Sequence, residues 1–170
     1  MTYAKRTFVL ILTALALSGC SYKFNGATIP AEMKTVHVQF FENNAQLVVP
    51  YLSQEFTEAL KTRIRNQTRL NIVPSEGQAI FEGRITNYSI TPVAIQDNQR
   101  PVAGATRMTI TVTVKYTNTF DQKASFEQSF ERFKNFTLVG QSLQSVEQQL
   151  IKDINAMLTE DIFNRAFSQW

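Results

Sequence analysis

The chain has 170 residues, with 17 basic and 14 acidic side chains, one histidine and one cysteine. Six glycines and five prolines are too few for a disordered chain, and this length is typical of one domain. The single histidine excludes a paired-histidine zinc site, and the single cysteine excludes an internal disulfide bond.

A secretory signal peptide is predicted over residues 1–19. Lys5 and Arg6 form its positive start, residues 7–17 form an apolar run, and no acidic residue precedes Glu32. The run is too short to cross a membrane. Removing these 19 residues leaves 151 and lowers the side-chain charge from +3 to +1. This charge does not support a cationic nucleic-acid-binding protein, so no nucleic-acid partner is expected.

The signal ends at Leu17, Ser18, Gly19 and Cys20, a sequence that resembles a bacterial lipobox. In such signals a lipid joins the cysteine thiol, a peptidase cleaves just before the cysteine, and the new amino terminus is acylated. The small residues Ser18 and Gly19 let the peptidase approach. We therefore expect a covalent lipid on Cys20 and no other cofactor. The alternatives are an ordinary signal peptide with Cys20 there by chance, or a short core helix.

The residues after Cys20 predict where the protein is anchored. Ser21 occupies the position where an aspartate favours inner-membrane retention in well-studied lipoproteins, and no acidic run follows it. We therefore expect a lipid anchor in the outer membrane and a protein that faces the periplasm. Residues 20–33 contain Gly26 and Pro30, and their apolar residues do not recur with the period of a helix or a strand. This predicts a lipidated tether. Residues 34–170 are predicted to form a single domain.

The domain begins with a predicted strand over residues 34–41, in which Val36, Val38 and Phe40 share the apolar side. A helix begins near Pro50, with apolar residues recurring at three and four positions. Cations suit the C-terminal end of a helix dipole, which favours an ordinary solvated helix end over contact with anionic lipid. The four cations near this end are Lys61, Arg63, Arg65 and Arg69.

Residues 70–73 are a short apolar piece, and residues 78–90 predict a second strand. Residues 91–104 hold two prolines and a glycine and predict a long hairpin loop. The clearest alternation follows in residues 107–117, which predicts a strand with one buried face and one polar face. Its apolar side carries Met108, Ile110, Val112, Val114 and Tyr116.

A final strand is predicted around Phe126 and Phe130, and a long amphipathic helix follows from residue 143. The order of elements is β-α-β-β-β-α. It predicts an α+β two-layer sandwich: a mixed, mostly antiparallel four-stranded sheet with two helices packed on one face.

No catalytic or metal-binding residue is predicted. His37, the only histidine, alternates with valines on a strand, which indicates a solvent-facing side chain. The chain has no glycine-rich phosphate loop and no Gly-x-Ser-x-Gly nucleophile elbow. These patterns indicate a protein that is not an enzyme.

The polar face of the sheet is the remaining candidate site. A hairpin that closes near Ile90 and Ala105 would bring Tyr88 opposite Arg107 and Arg84 near Thr111. A threonine-rich surface with cations on it would suit anionic groups, but an ordinary solvated sheet face has the same composition. The cations are Arg84, Arg107 and Lys115, with Arg100 in the loop beyond.

The order of several short segments resembles the LPS-assembly lipoprotein (LptE) family, in its Bacteroidetes-type branch. The resemblance covers essentially the whole mature chain, and no single motif is specific. Many members have glycine after the lipidated cysteine, where this chain has Ser21. The segments that carry the resemblance are residues 20–26, 29–30, 34–38, 66–71, 81–85 and 161–164.

The resemblance implies an outer-membrane lipoprotein that serves as plug and assembly subunit of the LptD-type β-barrel, aiding delivery of LPS to the outer leaflet. Members are reported to bind LPS, whose phosphates suit arginine and lysine. The expected LPS-binding residues are Arg107, Arg84, Lys115 and Arg100. The alternative is a stand-alone lipid- or glycan-binding lipoprotein, which should contain its own apolar cavity.

Overall fold

The computed structural model describes residues 29–97 and 100–168, with side chains outside residues 94–104. Leu17, Ser18, Gly19 and Cys20 lie outside the described residues, so the lipidation of Cys20 stays a prediction. Packing against the domain begins before the first strand, because Met33 is buried in the core.

The described chain forms one mixed sheet with two helices, which confirms the α+β class. The sheet has six strands among the described residues and not four, in the order β3-β1-β4-β5-β6, with β2 paired to β4. Pairing is parallel among β1 to β4 and antiparallel for β4–β5 and β5–β6. In chain order the elements are β1 (Thr35–Val38), β2 (Glu42–Asn43), α1 (Leu52–Gln67), β3 (Asn71–Val73), β4 (Ala79–Asp97), β5 (Arg100–Asn118), a 3-10 turn (Gln122–Ala124), β6 (Phe126–Thr137) and α2 (Leu143–Phe167).

The two strands missed by sequence are the shortest ones. β2 has two residues and β3 has three, so neither is long enough to show alternation. The first strand also ends at Val38, earlier than predicted. From Val38 to Glu42 the chain takes four steps where β4 takes three, from Phe81 to Arg84. The extra residue reverses the alternation, so Phe41 and not Phe40 is buried against Phe56, with ring centroids 5.0 Å apart.

The predicted loop over residues 91–104 is wrong. β4 and β5 continue through it as a two-stranded ribbon, and the backbone pairing reaches Asp97 and Arg100. β6 accompanies this ribbon only as far as Thr137, which pairs with Ala105. Among the described residues β4 therefore has a free edge after Ile85, and β5 has one before Ala105. Pro92 and Pro101 both lie on strands with such an edge, which is where a sheet tolerates proline.

The core lies between the sheet and the helices. Five residues of β5 that alternate along the strand are buried as predicted, and α1 contributes a fully buried stripe. The interior is filled by large side chains: Phe41, Phe56, Phe81, Leu60, Ile85, Met108, Ile110, Tyr116, Ile151 and Ile154. No described helix combines the length and apolarity that a membrane-spanning segment needs.

α1 and α2 pack against each other as one layer. Arg63 of α1 donates from Nε to Thr159 Oγ1 at 3.1 Å and from a terminal nitrogen to the carbonyl oxygen of Ala156 at 2.9 Å. Both acceptors lie on α2, so Arg63 joins the two helices. Arg63, one of the four cations near the end of α1, therefore has a structural role.

Asn155 on α2 is buried, and neither its Nδ2 nor its Oδ1 has a hydrogen-bond partner among the described residues. A buried amide without partners costs free energy, so we expect Asn155→Leu to raise the free energy of unfolding by about 1 kcal/mol. Chemical denaturation of the two proteins measures this change.

A matched control is Asn118, which is also buried but accepts hydrogen bonds at Oδ1 from the backbone nitrogens of Phe120 and Asp121. Asn118→Leu should lower the free energy of unfolding by about 1–3 kcal/mol, because those two donors lose their acceptor. Destabilisation by both substitutions would contradict the account of Asn155.

Candidate functional site: the polar face of the sheet

The side of the sheet that faces away from the helices is polar, and we call it the polar sheet face. On β5 it alternates strictly with the buried face, as predicted. It is built from β4, β5 and β6, so it runs along the longest strands of the sheet. Its members include Glu82, Arg84, Arg107, Thr109, Thr111, Thr113, Lys115, Ser129, Glu131, Phe133 and Asn135.

Its centre is a set of cross-strand hydrogen bonds between β5 and β6. Thr111 Oγ1 donates to Glu131 Oε2 at 3.0 Å, and the hydroxyls of Thr113 and Ser129 are 2.8 Å apart. Both pairs are directly opposite in the strand register. Such pairs order polar side chains on the surface while leaving them in contact with water.

Arg84 and Lys115 lie next to each other on this face. Lys115 Nζ is 3.4 Å from Glu82 Oε2, and both side chains are well exposed. Arg84 is exposed and lies opposite Thr113, two residues from Lys115. The ion pair offsets the charge of Lys115, so Arg84 is the stronger candidate of the two for an external anion.

Arg107 is held in place by β6. Its Nε donates to Asn135 Oδ1 at 2.9 Å, and its guanidinium carbon lies 3.9 Å from the centroid of the Phe133 ring. A guanidinium stacked on an aromatic ring keeps its charge and loses conformational freedom. Arg107 is thus a cation presented in a fixed position.

The four predicted cations do not form one cluster. Arg107 and Lys115 are eight residues apart on β5, which is about 26 Å along the strand. Arg100 lies seven residues before Arg107, where its backbone pairs with Asp97. Arg84 and Lys115 therefore make one group, and Arg107 makes another.

The predicted register of the hairpin is wrong. Tyr88 pairs with Ile110, Arg84 pairs with Thr113, and Arg107 pairs with Thr91. The hairpin closes farther out than predicted, and two irregularities shift the pairing: a bulge at Thr86, which adds one residue to β4, and a second one between Val93 and Ile95. As a result Tyr88 points into the core and not onto the polar sheet face.

Sequence reasoning missed a second polar site, at the start of α2. The Tyr88 hydroxyl donates to Glu147 Oε1 at 2.6 Å and the Tyr51 hydroxyl donates to Oε2 at 3.1 Å. Burial, followed by the Glu147 carboxylate, raises the pKa of Tyr51 to about 12 and also raises the pKa of Tyr88. We call these three residues the Glu147 cluster; it ties α1, β4 and α2 together. The one sequence feature that points to this cluster is Tyr88, a residue with a polar hydroxyl in a strand that is buried.

Comparison with protein families gives a match over residues 33–166, to the family described as LptE, lipopolysaccharide-assembly. No curated protein matches the chain significantly. The family match covers both helices and all six strands almost completely.

Solved structures show the same fold at low sequence identity. A minor lipoprotein from Acinetobacter baumannii is 12% identical, with 78% of this chain and 91% of that chain covered and a TM-score of 0.50. A lipoprotein B from Nitrosomonas europaea is 16% identical, with 77% and 80% covered and a TM-score of 0.50.

Proposed function

Because the chain belongs to the LptE family of lipopolysaccharide-assembly lipoproteins, we propose that it is the plug and assembly subunit of an LptD-type β-barrel in the outer membrane. In this role it is not an enzyme. It is anchored through lipid on Cys20, faces the periplasm, and aids delivery of LPS to the outer leaflet.

The polar sheet face is the observation that supports a position inside a barrel. The lumen of an outer-membrane barrel is polar and wet. A plug therefore needs a surface that keeps its hydrogen bonds satisfied and still offers polar groups to the barrel wall. The Thr111–Glu131 and Thr113–Ser129 pairs meet this need, because they are ordered and remain at the surface.

The same face offers cations to LPS phosphates. Arg84 and Arg107 form no ion pair among the described residues, and Arg107 is preoriented by Asn135 and Phe133. Arginine binds phosphate through two parallel hydrogen bonds. We assign Arg107 and Arg84 the main contacts with LPS, and Lys115 and Arg100 supporting ones.

The packed interior argues against a stand-alone lipid carrier. Such a protein needs an apolar cavity of its own, whereas the space between the sheet and helices is filled by fully buried side chains such as Phe56, Phe81 and Ile154. The filled interior is more consistent with a protein that works together with a partner, and in which the partner supplies the cavity.

In-cell photo-crosslinking tests the proposal. A photo-crosslinking amino acid replaces Thr111, at the centre of the polar sheet face, and a second strain carries it at Lys152 on the exposed side of α2. We expect irradiation to couple the Thr111 protein to a barrel of translocon size, since this face would touch the lumen wall. The Lys152 strain shows whether the helix layer is enclosed as well.

Capture of no barrel from the Thr111 strain, together with unchanged LPS export after deletion of the gene, would contradict the proposed function. Cells that are not irradiated provide the background, and mass spectrometry identifies the coupled peptide.

A further inference from the structure

The described chain starts at one end of the domain, as a short strap over residues 29–34. Met33 is buried, its backbone nitrogen donates to the Pro30 carbonyl oxygen at 3.0 Å, and Lys34 N donates to Gln78 Oε1 at 2.6 Å. Both helices end beside this strap, since Gln67 and Ser168 line recesses with Pro30 and Met33. The described part of the chain therefore begins at this end of the domain.

Five exposed cations lie on the strap, in the recesses beside it and in the last turn of α1. One recess beside it is lined by Lys34 and Arg69, and a second recess on the other side is lined by Lys123 and Arg165. Arg65 lies in the last turn of α1, one turn before Arg69. We call these five residues the basic end.

The cations of the basic end differ from most others in the described chain. The ion pairs present join Lys61, Arg63, Lys115, Arg132 and Lys134 to carboxylates, and these cations lie elsewhere. No carboxylate among the described residues is within ion-pair distance of a cation of the basic end. Asp121 lines the recess that holds Lys123 and Arg165, Asp161 lines a further recess with Arg165, and Glu32 lies on the strap. Five cations here face three carboxylates, so positive charge is in excess.

The helix dipole explains only part of this arrangement. Arg65 and Arg165 lie in the last turns of α1 and α2, where a cation stabilises the partial negative charge. Lys34 precedes β1 and Lys123 lies in the 3-10 turn, so neither belongs to an α-helix. The helix dipole therefore does not explain why Lys34 and Lys123 lie in the same surface as the two arginines.

We infer that the basic end lies on anionic phospholipid headgroups of the membrane leaflet that holds the acyl chains. This inference rests on the lipid attachment to Cys20 in the proposed function. Ile29 lies nine positions after Cys20, a reach of about 30 Å when fully extended, so the strap stays close to that leaflet. Cations near an anionic surface add to the hold of an acyl anchor and set the orientation of the domain.

Vesicle binding tests the inference without the contribution of the lipid. The mature chain with Cys20→Ser, which cannot be acylated, is mixed with vesicles of phosphatidylcholine alone or with a third of phosphatidylglycerol. We expect binding to the anionic vesicles to be at least about tenfold tighter, and high salt to abolish the difference.

Two charge-matched double variants locate the surface. Arg69→Glu with Lys123→Glu changes one cation on each side of the strap, and Lys61→Glu with Lys152→Glu makes the same charge change on the helix layer. We expect the first pair to weaken binding to anionic vesicles by about tenfold or more, and the second by less than about threefold. Circular dichroism shows whether each variant is folded.

Equal weakening by both double variants, or equal binding of the parent to both vesicle types, would overturn the inference. The premise has its own readout, which is labelling of the full chain with radioactive palmitate in cells. If the chain takes up no label while the acyl-free chain binds anionic vesicles through the basic end, the proposed lipid anchor at Cys20 would be overturned. The proposed contact of the basic end with anionic phospholipid would stand.

Discussion

Gly83→Ala is expected to lower the free energy of unfolding by about 3–5 kcal/mol, one of the largest effects of any single substitution in this chain. A Cβ at this position would lie 2.1 Å from the carbonyl oxygen of Thr113 and 2.7 Å from Cε1 of Phe41. Gly83 pairs with Val114 in the centre of the sheet, so the Thr113 carbonyl cannot withdraw without breaking the β4–β5 ladder. Phe41 is fully buried and cannot move aside.

Gly140→Ala is the matched control, because this glycine also has a positive φ, of 69°, but nothing lies within 4 Å of an added Cβ. Its cost is the left-handed backbone alone, about 1 kcal/mol. Urea unfolding of both variants separates the steric effect at Gly83 from backbone strain. Equal losses for the two variants would contradict the close approach of Thr113.

The fold could be predicted where the pattern is local and long enough. The alternation from Met108 to Tyr116 predicted the buried face of β5, and the two helices followed from their apolar periodicity. The ribbon over residues 91–104 could not be predicted, because Pro92 and Pro101 are typical of a loop, and only the structure shows that each lies on a strand with a free edge among the described residues. The bulge at Thr86 and the irregularity between Val93 and Ile95 have no sequence signal, and the pairing between them is displaced by one residue.

The candidate site shows the same limit. The sequence predicted that Arg84, Arg107 and Lys115 share a polar face, because alternation determines the side on which a residue lies. It could not predict that Glu82 offsets Lys115 or that Phe133 and Asn135 hold Arg107, since those contacts depend on register between strands.

The Glu147 cluster carries the second large prediction, because one carboxylate accepts hydrogen bonds from two tyrosines on different elements. Glu147→Ala should lower the free energy of unfolding by about 2–4 kcal/mol. It removes two bonds to a charged acceptor and leaves the buried hydroxyl of Tyr88 without a partner. Tyr51→Phe, which removes one partly exposed bond, should cost about 1 kcal/mol.

The same cluster predicts how stability changes in alkali. Both tyrosines have a higher pKa in the folded protein than the unfolded value of 10.0. The neutral form is therefore favoured by folding, and its contribution is complete below about pH 10 and is lost as the pH rises towards the folded pKa of about 12 for Tyr51. We expect the stability of the parent protein to fall above pH 10, and less steeply in Tyr51→Phe.

Urea unfolding at pH 8 and at several values above pH 10 measures both effects. Glu160→Ala serves as the control, because Glu160 is exposed and its only ion pair among the described residues is a 3.9 Å contact with Arg63. Removing such a surface carboxylate should change the free energy of unfolding by less than about 1 kcal/mol. A loss in Glu147→Ala no larger than in Glu160→Ala would mean that the two tyrosines do not depend on this carboxylate. The start of α2 would then be held to the sheet by apolar packing alone.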